Sequence, residues 1–261
     1  MIWLFDSWFW GLSTLLEFQK IMPEYDYIYF WDSLNVPYWD KSLDEILKLT
    51  EDWVRFLFES GAKIVIIACN TATACAIRIL QQKVFPDKKI LWVTIPGVEK
   101  IAELKLKKVW VLATPTTVKL RAYKKRVQSL NDKIVVQEIW APELVPLIEK
   151  WEFKDSSFEN ILKNYLDKFD SDIEAIVLGC THYSLIKDQI KNISNKQIID
   201  PSYDSAIKFR EYLKRHLKIK NSLSLWWKTI FYTTWDITNF LKTWKMFIKN
   251  LNLSQIKKAQ I

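Results

Sequence analysis

Residues 63–70 read Lys-Ile-Val-Ile-Ile-Ala-Cys-Asn, and residues 174–181 read Glu-Ala-Ile-Val-Leu-Gly-Cys-Thr. Each is a short apolar run that closes on a small residue, then a cysteine, then a side chain carrying a hydroxyl or an amide. Runs of this length, rich in Ile and Val, fit strands buried on both faces in a parallel sheet covered by helices. Helical patterns follow both cysteines, so each thiol falls at a strand's carboxyl end, just ahead of a helix. The two cysteines are 111 positions apart, and MIWLFDS at 1–7 is echoed at a similar distance by KKVWVLAT at 107–114. Two similar α/β halves, each offering one strand-end thiol, are the simplest reading of this echo. Ligands of open α/β sheets bind beyond the carboxyl ends of the strands. Both thiols are therefore predicted to face one cleft between the halves.

The rest of the chain keeps the alternation. Strands are predicted at 2–5, 26–30, 63–68, 90–94, 108–113, 134–139, 174–178, 197–199 and 229–233. Helices are predicted at 12–20, 71–82, 116–130, 143–149, 157–168, 184–192, 203–217 and 237–250. A further helix opens on the capping box Ser42-Leu43-Asp44-Glu45 and runs to about Ser60. The expected fold class is α/β, with two doubly wound parallel-sheet domains related by pseudo-symmetry and the active site in the cleft between them.

Composition narrows the class. The chain has 261 residues, 49% hydrophobic and 26% charged, and so reads as an ordinary globular protein with a sizeable core. The net charge of +8 raises the prior for anionic partners. The Lys and Arg residues are scattered, however, which reads as a solvated basic surface, and nucleic acid is not an expected partner. Three cysteines without paired short spacing indicate neither a disulfide framework nor a zinc ribbon, and free thiols suit a reducing compartment. The N-terminus carries Asp6 early and lacks a basic segment and a cleavage site, so it does not read as a signal peptide. No stretch reaches the roughly 18 apolar residues of a membrane span. A cytoplasmic protein with no membrane association is expected.

Two opposed thiols suggest a particular chemistry. A thiolate is a good base, and a helix N-terminus favours it. One thiol would suggest a nucleophile. Two on opposite sides of a small ligand suggest acid–base catalysis, in which one removes a proton from one face and the other returns a proton to the opposite face. A stereocentre is then inverted. His182, two residues after Cys180, could share a proton with that thiol or bind a carboxylate. Asp6 and Ser7 stand at the end of the first strand, in a site position. Asn70, Thr71 and Thr181, with the N–H groups of the following helices, suit a carboxylate ligand. Cys75, inside the helix after Cys69, reads as a buried packing residue, and His216 as an inert surface residue. No phosphate loop, dinucleotide fingerprint or HExxH motif is present.

These segments resemble the glutamate racemases of the cofactor-independent aspartate/glutamate racemase superfamily. The likeness rests on Phe5-Asp6-Ser7, Val36-Pro37-Tyr38, Ala68-Cys69-Asn70-Thr71-Ala72, Ala113-Thr114 with Thr117, the LVPLIE run at 144–149, and Leu178-Gly179-Cys180-Thr181-His182-Tyr183. Asp200-Pro201 and Thr234-Trp235-Asp236 also fit. The resemblance implies that Cys69 and Cys180 are the two catalytic acid/base residues. Asp6 would assist the first, His182 the second, and Glu149 would be a further auxiliary. It implies that Ser7, Pro37, Tyr38, Trp39, Asn70, Thr71, Thr114, Thr117, Thr181 and His182 border the substrate, with Asp6 doing so as well. It also implies no cofactor and no metal, glutamate as the small-molecule substrate, a homodimer, and D-glutamate as a product for peptidoglycan. The domains implied are 1–95 with 210–261, and 96–209. Racemisation of aspartate or another amino acid, and an inactive homologue acting as a binding protein, are the alternatives.

The chain departs from the family in one systematic way. It has 4 Gly and 14 Trp, whereas average Gly usage is about 7%. Trp3, Trp8, Trp10, Trp31, Trp39, Trp92, Trp110 and Trp235 stand where the family pattern has Gly, and Trp151 and Trp244 are weaker cases. Trp53, Trp140, Trp226 and Trp227 fit no such pattern. Gly permits positive φ and close backbone approach; Trp offers neither, and Trp39 would intrude on the substrate pocket. Some genetic codes read UGA as Gly and others as Trp, so reading the gene with the wrong code would produce this pattern. Two further departures are Ala141, where a Cys is common, and Leu120-Arg121, where the family has smaller residues.

Overall fold

In a computed structural model, residues 1–226, 228–244 and 251–259 are described, without the side chains of 239 and 242–244. Ten strands are present among them: β1 (Ile2–Asp6), β2 (Tyr27–Trp31), β3 (Val65–Ile67), β4 (Ile90–Trp92), β5 (Lys108–Ala113), β6 (Val135–Trp140), β7 (Ala175–Gly179), β8 (Gln197–Ile199), β9 (Thr229–Thr233) and β10 (Ile256–Lys258). They form two sheets, in the orders β10-β9-β2-β1-β3-β4 and β6-β5-β7-β8. Every pairing is parallel. The central strands β1, β2, β3, β5 and β7 are buried along almost their whole length, as expected of a sheet covered on both faces.

The strand orders explain the sequence echo. The block β2-β1-β3-β4 has the same order as β6-β5-β7-β8, so β1 matches β5 and β3 matches β7. In each block the first connection leaves the central strand on one side and the next crosses to the other. The crevice where this reversal occurs lies between β1 and β3 in one sheet and between β5 and β7 in the other. Such a switch point is where open α/β sheets bind ligands. Cys69 follows β3 and Cys180 follows β7.

The helices cover these sheets. In chain order they begin with α1 (Leu12–Ile21), α2 (Leu43–Glu59), α3 (Asn70–Ile79) and α4 (Thr94–Glu103). After β5 come α5 (Pro115–Lys119), α6 (Ala122–Leu130), α7 (Leu144–Glu149), α8 (Ser156–Leu166), α9 (Lys187–Ser194) and α10 (Pro201–Arg215). Helix α10 packs on both α1 and α4, which ties the two sheets together. Helix α2 opens as its sequence requires. The Ser42 hydroxyl accepts the Glu45 N–H, and the Glu45 carboxylate accepts the Ser42 N–H.

Several predicted helices differ in the structure. The run 116–130 is two helices, because Arg121 takes a left-handed conformation with φ 52°. The segment predicted as 184–192 starts earlier, as a 3-10 turn over Thr181–Ile186, before α9 begins. The helix placed at 203–217 begins at Pro201, capped by the Asp200 side chain, and ends at Arg215. A short helix, Leu217–Ser222, follows it and packs no buried residue. Of the helix predicted at 237–250, Ile237–Trp244 is helical, and 245–250 lie outside the described residues, as does Trp227. No helix among the described residues is long and apolar enough to cross a membrane.

Candidate active site

The loop after β1 supplies Asp6 and Ser7. Asp6 is 1% exposed. Its Oδ1 accepts the Trp8 N–H at 2.8 Å, and its Oδ2 has no hydrogen-bond partner. Burial raises its pKa to about 8, outweighing the backbone donor at Trp8. The carboxyl group is thus protonated at neutrality. Gly11 lies directly beneath it, and a Cβ there would come within 2.4 Å of Oδ2. This is one position where a close approach demands glycine.

Cys69 caps α3. Its Sγ accepts the Ala72 N–H at 3.3 Å and lies 3.0 Å from the Ser7 hydroxyl. Both contacts favour the thiolate, yet burial and the nearby Asp6 push the thiol up to about 12. Cys180 precedes a 3-10 turn and makes no side-chain cap. Burial raises its pKa as well, and the charges of Cys69, Asp6 and Glu149 add to the rise. The sequence-based expectation that helix termini would favour both thiolates is therefore reversed. The site is enclosed, and desolvation exceeds the stabilisation a single helix terminus provides.

Cys180 heads a chain of three linked side chains. Its Sγ lies 3.3 Å from His182 Nδ1, and His182 Nε2 lies 3.1 Å from Glu149 Oε1. Burial lowers the His182 pKa against the opposing pull of Glu149, so the imidazole is neutral at pH 7. Nε2–H then donates to the Glu149 carboxylate, and Nδ1 accepts from the Cys180 thiol. The hydrogen bond at one ring nitrogen fixes the tautomer at the other. The structure thus brings together Asp6, Cys69, Glu149, Cys180 and His182, the residues to which the resemblance gives catalytic roles, from four separate loops and helices.

Hydroxyls link the two halves. The Thr71 hydroxyl lies 2.9 Å from that of Thr114, which lies 3.0 Å from that of Thr117. All three are buried, and Thr71 belongs to the first sheet's helix while Thr114 follows β5. Asn70 Oδ1 accepts the Tyr123 hydroxyl at 2.6 Å. The Thr181 carbonyl accepts the Ser13 hydroxyl at 3.2 Å. Pro37 leads into the 3-10 turn Tyr38–Asp40, and the Trp39 carbonyl accepts the Thr116 hydroxyl at 3.0 Å.

Two of the residues singled out along the chain have partners of their own within the protein. The Tyr38 hydroxyl donates to Asp32 at 2.8 Å and so is held by the protein itself. Cys75 is half-buried and donates to the Leu43 carbonyl at 3.1 Å. It lines a cavity of about 750 Å³ with Arg78, Trp92 and Tyr123, and is not the enclosed packing residue predicted. His216 is exposed and stacks on Tyr212, as expected of an inert surface residue.

Sequence reasoning missed Asp32. It is 0% exposed, and its carboxylate accepts from Asn35 Nδ2, the Tyr38 hydroxyl, Trp53 Nε1 and the Thr234 hydroxyl. It follows β2 immediately, one strand over from Asp6, and that strand-end position was the available signal.

The tryptophans crowd this site. The ring centroids of Trp39, Trp8 and Trp10 lie 5.8, 6.1 and 6.1 Å from that of His182, and Trp8 and Trp39 are 5.8 Å apart.

Residues 16–203 match the Asp/Glu/Hydantoin racemase family. The chain belongs to this family. It is 34% identical over 256 residues to the glutamate racemase of Lactobacillus helveticus, an alignment covering 97% of this chain and 95% of the relative. It is 40% identical over 205 residues to the glutamate racemase of Campylobacter concisus, covering 76% and 77% of the two chains. Its fold matches the crystal structure of the Francisella tularensis glutamate racemase in complex with D-glutamate, with a TM-score of 0.87 and 31% identity. That match covers 100% of this chain and 96% of the other. Membership of the family makes the chain a racemase by class, and its two-sheet α/β architecture is that of the matched structure.

Proposed function

We propose that this chain interconverts L-glutamate and D-glutamate, with Cys69 and Cys180 as the two acid/base groups. The observation that carries the reading is electrostatic. Two thiols from separate switch points are near enough that charge on one raises the pKa of the other. Like charges resist double ionisation, so when one thiol gives up its proton the other keeps its own, the pairing a two-base reaction needs. The thiolate takes the α-proton from one face, and the thiol gives its proton to the carbanion on the opposite face. The configuration inverts, and thiol and thiolate exchange places.

The barrier is removal of a proton beside a carboxylate, and donors preorganised around the developing charge lower it. Asn70, Thr71, Thr114, Thr117 and Thr181 are the donors we assign to the substrate's carboxylates, with Ser7, Pro37, Tyr38 and Trp39 along the first sheet's side. Asp6, holding a proton, serves the Cys69 side. The Glu149–His182 pair serves Cys180. The names of the relatives support glutamate over aspartate.

The further expectations belong to the same proposal: D-glutamate for peptidoglycan, a cytoplasmic homodimer, and domains comprising 1–95 with 210–261, and 96–209. Circular dichroism with L-glutamate tests the reaction, and Cys69→Ala and Cys180→Ala should each abolish the signal change. Full activity in either variant would refute the two-thiol mechanism. Faster turnover of L-aspartate would favour the aspartate reading, and no turnover of any amino acid would favour a binding protein.

A further inference from the structure

Helix α2 and helix α7 end in the same backbone motif. After α2, the Ala62 N–H donates to the Leu57 carbonyl at 3.0 Å, and the Gly61 N–H donates to that of Phe58 at 3.0 Å. Gly61 has φ 101°. After α7, the Glu152 N–H donates to the Leu147 carbonyl at 2.9 Å, and the Trp151 N–H donates to that of Ile148 at 3.1 Å. Trp151 has φ 63°. This left-handed stop favours glycine, although Lys105 fills the same stop after α4 at φ 55°; a residue as bulky as tryptophan there is an outlier.

Packing gives a second, independent sign. Trp92 and Trp110 sit in buried strands, 4% and 0% exposed, and neither indole N–H has an acceptor. Buried Trp N–H groups usually find one. Trp110 lies edge-on to Phe169. Trp53 behaves differently: it is equally buried, yet its Nε1–H donates to Asp32 Oδ2 at 2.7 Å. The chain therefore distinguishes a tryptophan built into its surroundings from tryptophans whose surroundings offer them nothing.

A third sign lies in the cleft, where Trp8, Trp10 and Trp39 close around His182, itself 1% exposed. An amino-acid substrate has to reach Cys180 past these rings.

We infer that positions 8, 10, 39, 92, 110 and 151 are glycine in the protein its own cell makes, read from UGA codons, while Trp53 is a true tryptophan. For positions 92, 110 and 151 backbone and packing support the family pattern independently of the cleft. For 8, 10 and 39 it rests also on the proposed racemase reading.

Peptide mass spectrometry of the protein purified from its source cells tests all seven positions. The expected result is glycine at the six and tryptophan at 53. Tryptophan at 92, 110 and 151 overturns the inference and leaves the racemase reading to its own assay. Tryptophan at 8, 10 and 39 alone overturns the part that concerns the cleft. A second measurement uses recombinant chain. Trp151→Gly should raise the melting midpoint by about 2–4 °C, the shift of a chain this size when a modest strain is relieved, and Trp53→Gly should lower it. An unchanged or lower midpoint for Trp151→Gly overturns the assignment at that position.

Discussion

His182 Nδ1 lies 3.3 Å from Cys180 Sγ, while the far side of the same ring is held by Glu149 at 3.1 Å. A neutral imidazole anchored by a carboxylate keeps its lone pair aimed at the thiol. His182→Asn should therefore lower kcat by about 10²–10⁴-fold, the usual worth of a positioned acid–base group, with a smaller effect on KM. Glu149→Gln should cost less, because it keeps a hydrogen-bond acceptor for Nε2–H. Steady-state circular dichroism in a Trp8→Gly, Trp10→Gly, Trp39→Gly background measures both. Equal kcat in His182→Asn and the parent would remove His182 from the reaction.

Asp6 makes stability depend on pH. Its folded pKa, about 8, lies above the ordinary carboxylate value of 3.8. Between these two values the folded chain keeps a proton that the unfolded chain releases. Its contribution is thus fully present below pH 4 and is lost as pH rises toward 8. Urea unfolding at fixed pH steps should show this loss, at up to about 1.4 kcal/mol per pH unit. Asp6→Asn should flatten that slope. His182 acts in the opposite sense, since its lowered pKa costs stability as pH falls through the histidine range. Comparing Asp6→Asn with its parent above pH 7 isolates the carboxyl.

Asp32 gathers the Tyr38, Trp53, Asn35 and Thr234 donors in one buried spot. Asp32→Ala would leave these donors without their shared acceptor. A loss of about 3–5 kcal/mol in unfolding free energy is expected, because each buried donor left unsatisfied costs about 1–3 kcal/mol. Asp32→Asn should lose less. Chemical denaturation reads both, and a loss under about 1 kcal/mol for Asp32→Ala would show that water replaces the carboxylate.

The three thiols should alkylate in a set order. Cys75 is half-buried with its pKa raised to about 11, whereas Cys69 and Cys180 are enclosed and their pKa values are pushed higher. The thiolate is the reactive form, so iodoacetamide at pH 8 should modify Cys75 first. Peptide mapping over time checks this, and earlier labelling of Cys69 or Cys180 would mean that the cleft opens in solution.

Much of this was legible along the chain. The apolar runs ending in Cys69 and Cys180 specify parallel strands, because only strands buried on both faces read as continuous Ile and Val. The repeat of those runs, together with that of β1 and β5, carried the two-sheet architecture. Ser42 and Glu45 fixed the start of α2 through local hydrogen bonds alone. The turn at Arg121 was not legible, since nothing in its side chain favours a left-handed conformation over a continuing helix.

Tertiary structure decided what depends on enclosure. Whether a thiol at a helix N-terminus ionises is a contest between a local dipole and burial, and burial is set by the whole cleft; at Cys69 and Cys180 it wins. Asp32 became a hub only when β2, α2 and the strand-end Thr234 converged on it. The tryptophans show the same division. Their count and motif positions are properties of the sequence, but only the fold separates Trp53, which has an acceptor in Asp32, from Trp92 and Trp110, which have none. A hydrogen-bond partner more than a turn away along the chain is supplied by folding, and no local pattern encodes it.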